Sequence, residues 1–409
     1  MQHTDLQHPF LSQRLPRLYF GHGTRHQLIE HCQALGQRGV LITGAHSLKA
    51  HAHGAALLQQ LEYSDLHWHT LEVHGEPSPQ QVDAWVQQLQ GFNVEFVLAI
   101  GGGSVLDVGK AIAGLIKPAN SVMDHLEGVG PELPYRGPAL PWIAVPTTAG
   151  TGSEATMNAV LSQHAHNDAP GYKKSFRHPD LIAHTALLDP DLLADWSTRV
   201  AEQALDAFTQ LLESYVSLRA SRWTDVLAWE GLSAFKVWLD AVLEAANEDE
   251  RARAHRQHAA EIAWAAYLSG VTLAQAGLGS VHGLAAPLGA FSPIPHGAAC
   301  GTLVAAATEL NVRALRARAP DHIALKKYAA VAGLFLPNDA NESEDALLAR
   351  WIEQLHQATE RLGIQGLGHY GVAAKDFAVI VANSRGSSMK TNPIVLDDDE
   401  LMRLLQARA

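Results

Sequence analysis

Phe96-Val-Leu-Ala-Ile-Gly101-Gly102-Gly103-Ser104-Val-Leu-Asp107-Val-Gly-Lys110 runs an apolar strand straight into a triple-glycine turn and then into a helix. Residues without side chains let backbone close on a ligand, and a helix N-terminus offers unpaired N–H groups and a positive dipole end to phosphate. The stretch follows neither standard phosphate-binding pattern. Ser104 stands where a P-loop needs glycine and Ala111 follows the lysine, while Leu106 replaces the third glycine of the dinucleotide pattern. A tight turn without a ligand is the competing reading. A second β-run opens Val145-Pro-Thr147-Thr148-Ala-Gly-Thr151-Gly-Ser153-Glu154, whose hydroxyls and open backbone suit diphosphate and ribose, although an ordinary polar loop has the same composition.

Around these segments the first half alternates β-type and helical runs, the signature of a parallel sheet with crossover helices. Strands are expected at 17–21, 39–43, 67–73, 95–101 and 142–146, with helices at 25–35, 54–63, 79–90 and 104–116. Beyond about Asp191 the runs 198–218, 224–246 and 346–362 have helical periodicity without intervening strands. Asp189-Pro190 is a plausible seam, so residues 1–190 read as a nucleotide-type α/β domain and 191–409 as an all-α domain. Two domains also follow from 409 residues, more than one hydrophobic core usually organises.

Composition narrows the function. Thirty Lys plus Arg against 42 Asp plus Glu give a net charge of −12 with the basic residues scattered, which disfavours a nucleic-acid surface. The stretch 273–291 approaches the ~20 residues of a membrane span, but its Gly, Ala, Ser, Gln, His and Pro mark a single buried helix. Two cysteines, Cys32 and Cys300, make no disulfide framework, and Met1-Gln-His-Thr-Asp-Leu6 does not resemble a secretion signal; a reducing, cytoplasmic setting is expected.

Candidate metal ligands lie in the second half. Asp206 and Gln210 are four apart on one face of an apolar-periodic helix, a pattern that a solvated polar face also produces. His282 is the one ionisable residue between Leu273 and Phe291, so its imidazole needs a buried partner, either a metal or a hydrogen bond. His296 follows Ser292-Pro-Ile-Pro295 at a loop-to-helix junction. Together Asp206, His282 and His296 make a carboxylate and two imidazoles suited to a divalent catalytic ion. The pairs His22/His26, His51/His53 and His67/His69 read as surface residues.

Taken together, the glycine turn 101–110, the loop Pro146–Glu154, and Val281-His282-Gly-Leu-Ala-Ala-Pro287-Leu-Gly289 with His296-Gly297 resemble the iron-containing (group III) alcohol dehydrogenases, over nearly the whole chain. The resemblance implies a Rossmann-like α/β domain followed by an all-α domain, the architecture of dehydroquinate synthase, with NAD(P) in the cleft between domains and Fe²⁺ or Zn²⁺ on the helical one. It carries cofactor binding onto Gly102, Gly103, Ser104, Asp107, Thr147, Thr148, Thr151, Ser153 and Lys173 or its neighbour Lys174. It places the metal on Asp206, Gln210, His282 and His296, with His282 and His296 catalytic.

Three departures from the family pattern matter. Gln210 replaces a usual histidine ligand with a weaker neutral donor. Ala286 replaces a histidine often assigned to proton relay. After the second strand, Ile42-Thr-Gly-Ala-His46-Ser47 lacks the usual acidic residue, so NADPH is expected to be tolerated or preferred, with Lys49 nearby. The implied activity is hydride transfer between nicotinamide and a small alcohol or aldehyde, in a homo-oligomer, commonly a dimer. The alternatives are a metal-independent reductase like the maleylacetate reductases, a dehydroquinate synthase-like lyase, and a binding protein without chemistry. The loop Asn383–Pro393, with Arg385, is either a surface loop or a holder of an anionic substrate group.

Overall fold

Short aliphatic runs, buried on both faces, build the central strands of the sheet of the α/β unit, as parallel strands flanked by helices require. The computed structural model describes residues 1–6, 9–163, 171–337 and 342–409. Its strands are β1 (Arg17–Phe20), β2 (Arg38–Gly44), β3 (His67–Val73), β4 (Phe96–Gly101), β5 (Trp142–Pro146), β6 (Asn158–Gln163), β7 (Tyr172–Arg177) and β8 (Thr185–Leu188). Six of them form one parallel sheet in the order β1-β8-β5-β4-β2-β3.

Alternate side chains of the central strands feed two cores. Val40, Ile42, Val97, Ala99, Trp142 and Ala144 pack on one face, and Leu41, Phe96, Leu98, Ile100, Ile143 and Val145 on the other. The strand order reverses between β2 and β4, because β3 lies outside β2 while β4, β5 and β8 extend the other way. A sheet of this kind offers its ligand crevice at the carboxyl ends of the strands flanking that reversal. Helix Gly103–Leu115 lies close on the sheet, since a Cβ on Gly109 would sit 2.7 Å from Ala99 Cβ. Gly109 therefore does the helix–sheet packing that Leu106 cannot.

The chain divides into two compact units, Gln13–Ala194 and Asp195–Ala409 joined by Met1–Ser12. The division falls shortly after Asp189-Pro190, and the opening twelve residues join the helical unit. There the Gln2 N–H donates to Tyr215 Oη at 2.9 Å and the Thr4 N–H to Asp225 Oδ2 at 2.5 Å. Lys327 Nζ completes the junction, reaching Asp225 Oδ1 at 2.6 Å, the Tyr215 carbonyl at 2.7 Å and Thr4 Oγ1 at 3.0 Å. At the centre of this unit, helix Thr198–Val216 is buried along nearly its whole length by helices Arg222–Glu244, Ala259–Ala276 and His296–Arg318.

Two expectations need correction. The stretch 273–291 is not one helix: helix Ala259–Ala276 ends at Gly277, whose φ is +73°, and a new helix, Ser280–Phe291, begins after Gly279. The break is held by the C-terminal loop, with Thr391 Oγ1 donating to the Leu278 carbonyl at 2.6 Å and Asn392 Oδ1 accepting from the Ser280 N–H at 3.0 Å. The first half also contains the antiparallel pair β6–β7 and strand β8, for which no strands were expected.

Candidate metal centre and dinucleotide loops

The glycine turn and the hydroxyl loop leave adjacent strands side by side, because Gly101 at the end of β4 is in register with Pro146 at the end of β5. Glycine lets them touch. A Cβ on Gly102 would meet Thr148 Cγ2 at 3.2 Å, and one on Gly103 would meet Thr151 Cγ2 at 2.9 Å. No side chain caps the N-terminus of helix Gly103–Leu115, and the N–H groups of both Val105 and Leu106 turn back to the Gly102 carbonyl. The first amides of that helix are thus the donors that a diphosphate would use. The residues fit a nicotinamide dinucleotide.

Beneath this surface lies a buried charged knot. Lys110, fully buried, donates to Asp107 Oδ1 (3.1 Å), Ser153 Oγ (2.6 Å), Thr156 Oγ1 (2.7 Å) and the Asn158 carbonyl (2.9 Å). Ser153 Oγ also approaches Asp107 Oδ1 at 2.7 Å. Asp107 and Ser153 are therefore engaged with each other and with Lys110, tying the two loops together. Glu154 is buried beside them; desolvation pushes its carboxyl up to about 7, against the pull of its own backbone N–H and of Lys110. Thr147 is fixed by its backbone, its N–H donating to the Gly101 carbonyl at 3.0 Å.

Two lysines expected near the cofactor have carboxylate partners within the α/β unit. Lys173 Nζ pairs with Glu76 at 2.5 Å, whereas Lys174 lies against Gly128. Lys49 pairs with Glu72 on β3, and Glu72 also takes His74 at 3.1 Å. A carboxylate thus stands one strand away from His46 and Ser47, which the sequence reading did not anticipate.

In the helical unit, Asp206 from helix Thr198–Val216, His282 from helix Ser280–Phe291, and His296 and Cys300 from helix His296–Arg318 bring one ligand atom each within 4.8 Å of one another. Asp206 Oδ1 lies 3.2 Å from His282 Nε2 and 3.8 Å from His296 Nε2. Glu213, two turns beyond Asp206, takes the other His282 nitrogen, Nδ1, at 2.7 Å and accepts the Val281 N–H at 2.7 Å. One carboxylate therefore caps the helix and fixes the imidazole it carries. Gly279 admits it, since a Cβ there would sit 2.7 Å from Glu213 Oε1.

Burial opposes charge at this cluster, and neighbouring groups offset it. Desolvation would raise the Asp206 carboxyl, but His296 and His282 outweigh it and hold it down at about 2. Desolvation would lower His282, but Cys300, Asp206 and Glu213 hold it well above its ordinary value. The Cys300 thiol is pushed up to about 12 by burial. A carboxylate, two imidazoles and a sulfur so close, with an outer carboxylate orienting one ring, fit a divalent transition ion.

Gln210 shares the helix with Asp206, and its Oε1 accepts from Ser269 Oγ at 2.7 Å. Cys300 was missed as a site residue in the sequence, although its place four residues after His296 puts it one helical turn away. Among the described residues one other group of donors gathers, His22, Asp189 and Asp191, but Arg25 Nη1 already sits 2.8 Å from Asp189 and 2.7 Å from Asp191. Arg385 donates to the Leu396 carbonyl at 2.6 Å and pairs with Asp398.

Comparison with known proteins agrees with the fold. Residues 16–190 match the family described as iron-containing alcohol dehydrogenase, and residues 200–409 its C-terminal part, described as Fe-containing alcohol dehydrogenase family, C-terminal. Alcohol dehydrogenase 4 of Saccharomyces cerevisiae is 27% identical over 395 residues, 96% of each chain, and long-chain-alcohol dehydrogenase 1 of Geobacillus thermodenitrificans is 34% identical over 287 residues, 69% of this chain and 68% of that one. Among solved structures, a 1,3-propanediol oxidoreductase superposes with a TM-score of 0.85 at 23% identity, covering 98% of this chain and 100% of that one. The sulfoacetaldehyde reductase of Bifidobacterium kashiwanohense, solved with NAD⁺, superposes with a TM-score of 0.78 at 24% identity, covering 98% and 99%. The chain belongs to the iron-containing alcohol dehydrogenase family and is an oxidoreductase acting on CH–OH groups.

Proposed function

We propose that the chain interconverts a small alcohol and its aldehyde with a nicotinamide dinucleotide, assisted by a divalent metal ion, Fe²⁺ or Zn²⁺, at Asp206, His282 and His296. The observation that carries this reading is the approach of donor atoms from three separate helices to within 4.8 Å. When bound, the cation supplies Lewis-acid polarisation of the substrate oxygen and the dinucleotide supplies or takes the hydride.

The chain's own residues prepare both. The first amides of helix Gly103–Leu115 would receive the diphosphate, while Gly102 and Gly103 let the turn lie close against Thr148 and Thr151 of the hydroxyl loop. Asp206 brings negative charge to the centre, and Glu213 keeps a proton on His282 Nδ1 so that Nε2 faces Asp206. With Ala286 where the family often has histidine, protons travel through water or cofactor hydroxyls. His46 and Ser47 support tolerance of a 2′-phosphate, and Glu72, by neutralising Lys49, keeps NADH usable as well. The exposed apolar residues Leu6, Phe10 and Leu11 support self-association as a dimer, and two free buried cysteines support a reducing, cytoplasmic setting. None of the described helices is long and apolar enough to cross a membrane.

A metal-independent reductase is the second reading, favoured by the engagement of Gln210 with Ser269. In that case His282 or His296 itself donates the proton to the carbonyl oxygen. Anaerobically purified protein, analysed for metals and mixed with NADH or NADPH and a panel of short aldehydes, tests both. Consumption of reduced dinucleotide that requires bound Fe²⁺ or Zn²⁺ is expected. Full turnover in metal-free protein selects the second reading, and absence of both dinucleotide binding and turnover overturns the function.

A further inference from the structure

We propose that Cys300 is a protein ligand of the metal centre, its thiolate taking the place that Gln210 leaves weak. This rests on the metal-assisted reading above. Cys300 Sγ lies 3.7 Å from His282 Nε2 and 3.9 Å from His296 Nε2. A tetrahedral ion with nitrogen ligands at about 2.0–2.1 Å and sulfur at about 2.3 Å separates neighbouring donors by roughly 3.3–3.6 Å. Both sulfur separations stand within a few tenths of an ångström of that range, as do the Asp206–His282 and Asp206–His296 separations of 3.2 and 3.8 Å.

Position and charge agree with that geometry. His296 and Cys300 are one turn apart on the same helix and present both donors to the same point. A buried free cysteine usually packs as a small apolar residue, but this sulfur faces two imidazoles and a carboxylate. Asp206, two neutral imidazoles and a neutral amide would leave a divalent cation with a single directly bound negative charge, because the Glu213 carboxylate reaches it only through His282. A thiolate supplies a second directly bound negative charge, its proton leaving to solvent as the cation binds. The softer sulfur donor also shifts preference from Fe²⁺ toward Zn²⁺.

The test is cobalt substitution of the full chain. Wild-type protein is expected to bind Co²⁺ with an intense near-ultraviolet thiolate-to-cobalt band. Cys300→Ala, checked for folding by circular dichroism, should lose the band and bind Co²⁺ at least about tenfold more weakly in chelator competition; Gln210→Ala should keep the band. Cobalt bound by wild type without the band, or equally tightly by Cys300→Ala, overturns the assignment while leaving the metal centre standing. A wild type that binds none of Co²⁺, Zn²⁺ and Fe²⁺ overturns the metal reading itself, and Cys300 with it.

Discussion

Glu154 is a carboxyl buried with the Lys110 knot, 3% exposed and pushed by desolvation from an ordinary 4.5 to about 7. Its pH effect has a definite sign. Between those two values the folded state holds the proton and the unfolded state has released it, so stability is fully present below about 4.5 and falls as pH rises to about 7. Glu154→Gln removes that titration while keeping the shape. It is expected to stabilise the protein at about pH 8 by roughly 1–3 kcal/mol, with little change at acid pH. Denaturant titrations across the window check this; an unchanged slope in the variant would place the pH dependence elsewhere.

At the scale of elements, the glycine turn works because it touches its neighbour. Gly103→Ala would push a Cβ to 2.9 Å from Thr151 Cγ2 and 3.0 Å from its Oγ1, forcing the two loops apart. Dinucleotide affinity, followed by fluorescence titration of NADH, should fall about tenfold, a loss of about 1.4 kcal/mol, and recover in part when Thr151→Ala removes the obstructing atoms. Normal binding by the single variant would mean that the contact is dispensable. This turn was legible in the sequence because a strand, three glycines and a helix in succession have few other uses. Other elements were less so. The run 273–291 is made mostly of small and apolar residues, so no periodicity marks its break, and the turn there depends on Thr391 and Asn392 from far along the chain. Tyr172–Arg177 reads as polar because β7 belongs to a two-stranded pair outside the main sheet. Asp206, His282 and His296, which the structure brings together, were singled out in the sequence by motif resemblance as much as by their chemistry, but a lone cysteine such as Cys300 has no pattern until helix phase and tertiary contact place it.

For the whole molecule, the junction of Thr4, Tyr215, Asp225 and Lys327 binds distant parts of the helical unit. Asp225 is fully buried and Lys327 nearly so. Lys327→Met would strand the carboxylate and is expected to cost about 3–5 kcal/mol of stability, whereas adding Asp225→Asn should recover much of it. Chemical denaturation of both variants measures the difference, and equal losses would show that the charge pair is not the source. The same junction orders events during synthesis. Thr4 and Lys327 are 323 residues apart, so at about 5–20 residues per second the opening segment leaves the ribosome roughly a quarter of a minute to a minute before its last partner. Gln13–Ala194 emerges entire in that interval, and the nascent chain must carry an unclosed strap, with the exposed Leu6, Phe10 and Leu11 close by, until translation passes Lys327.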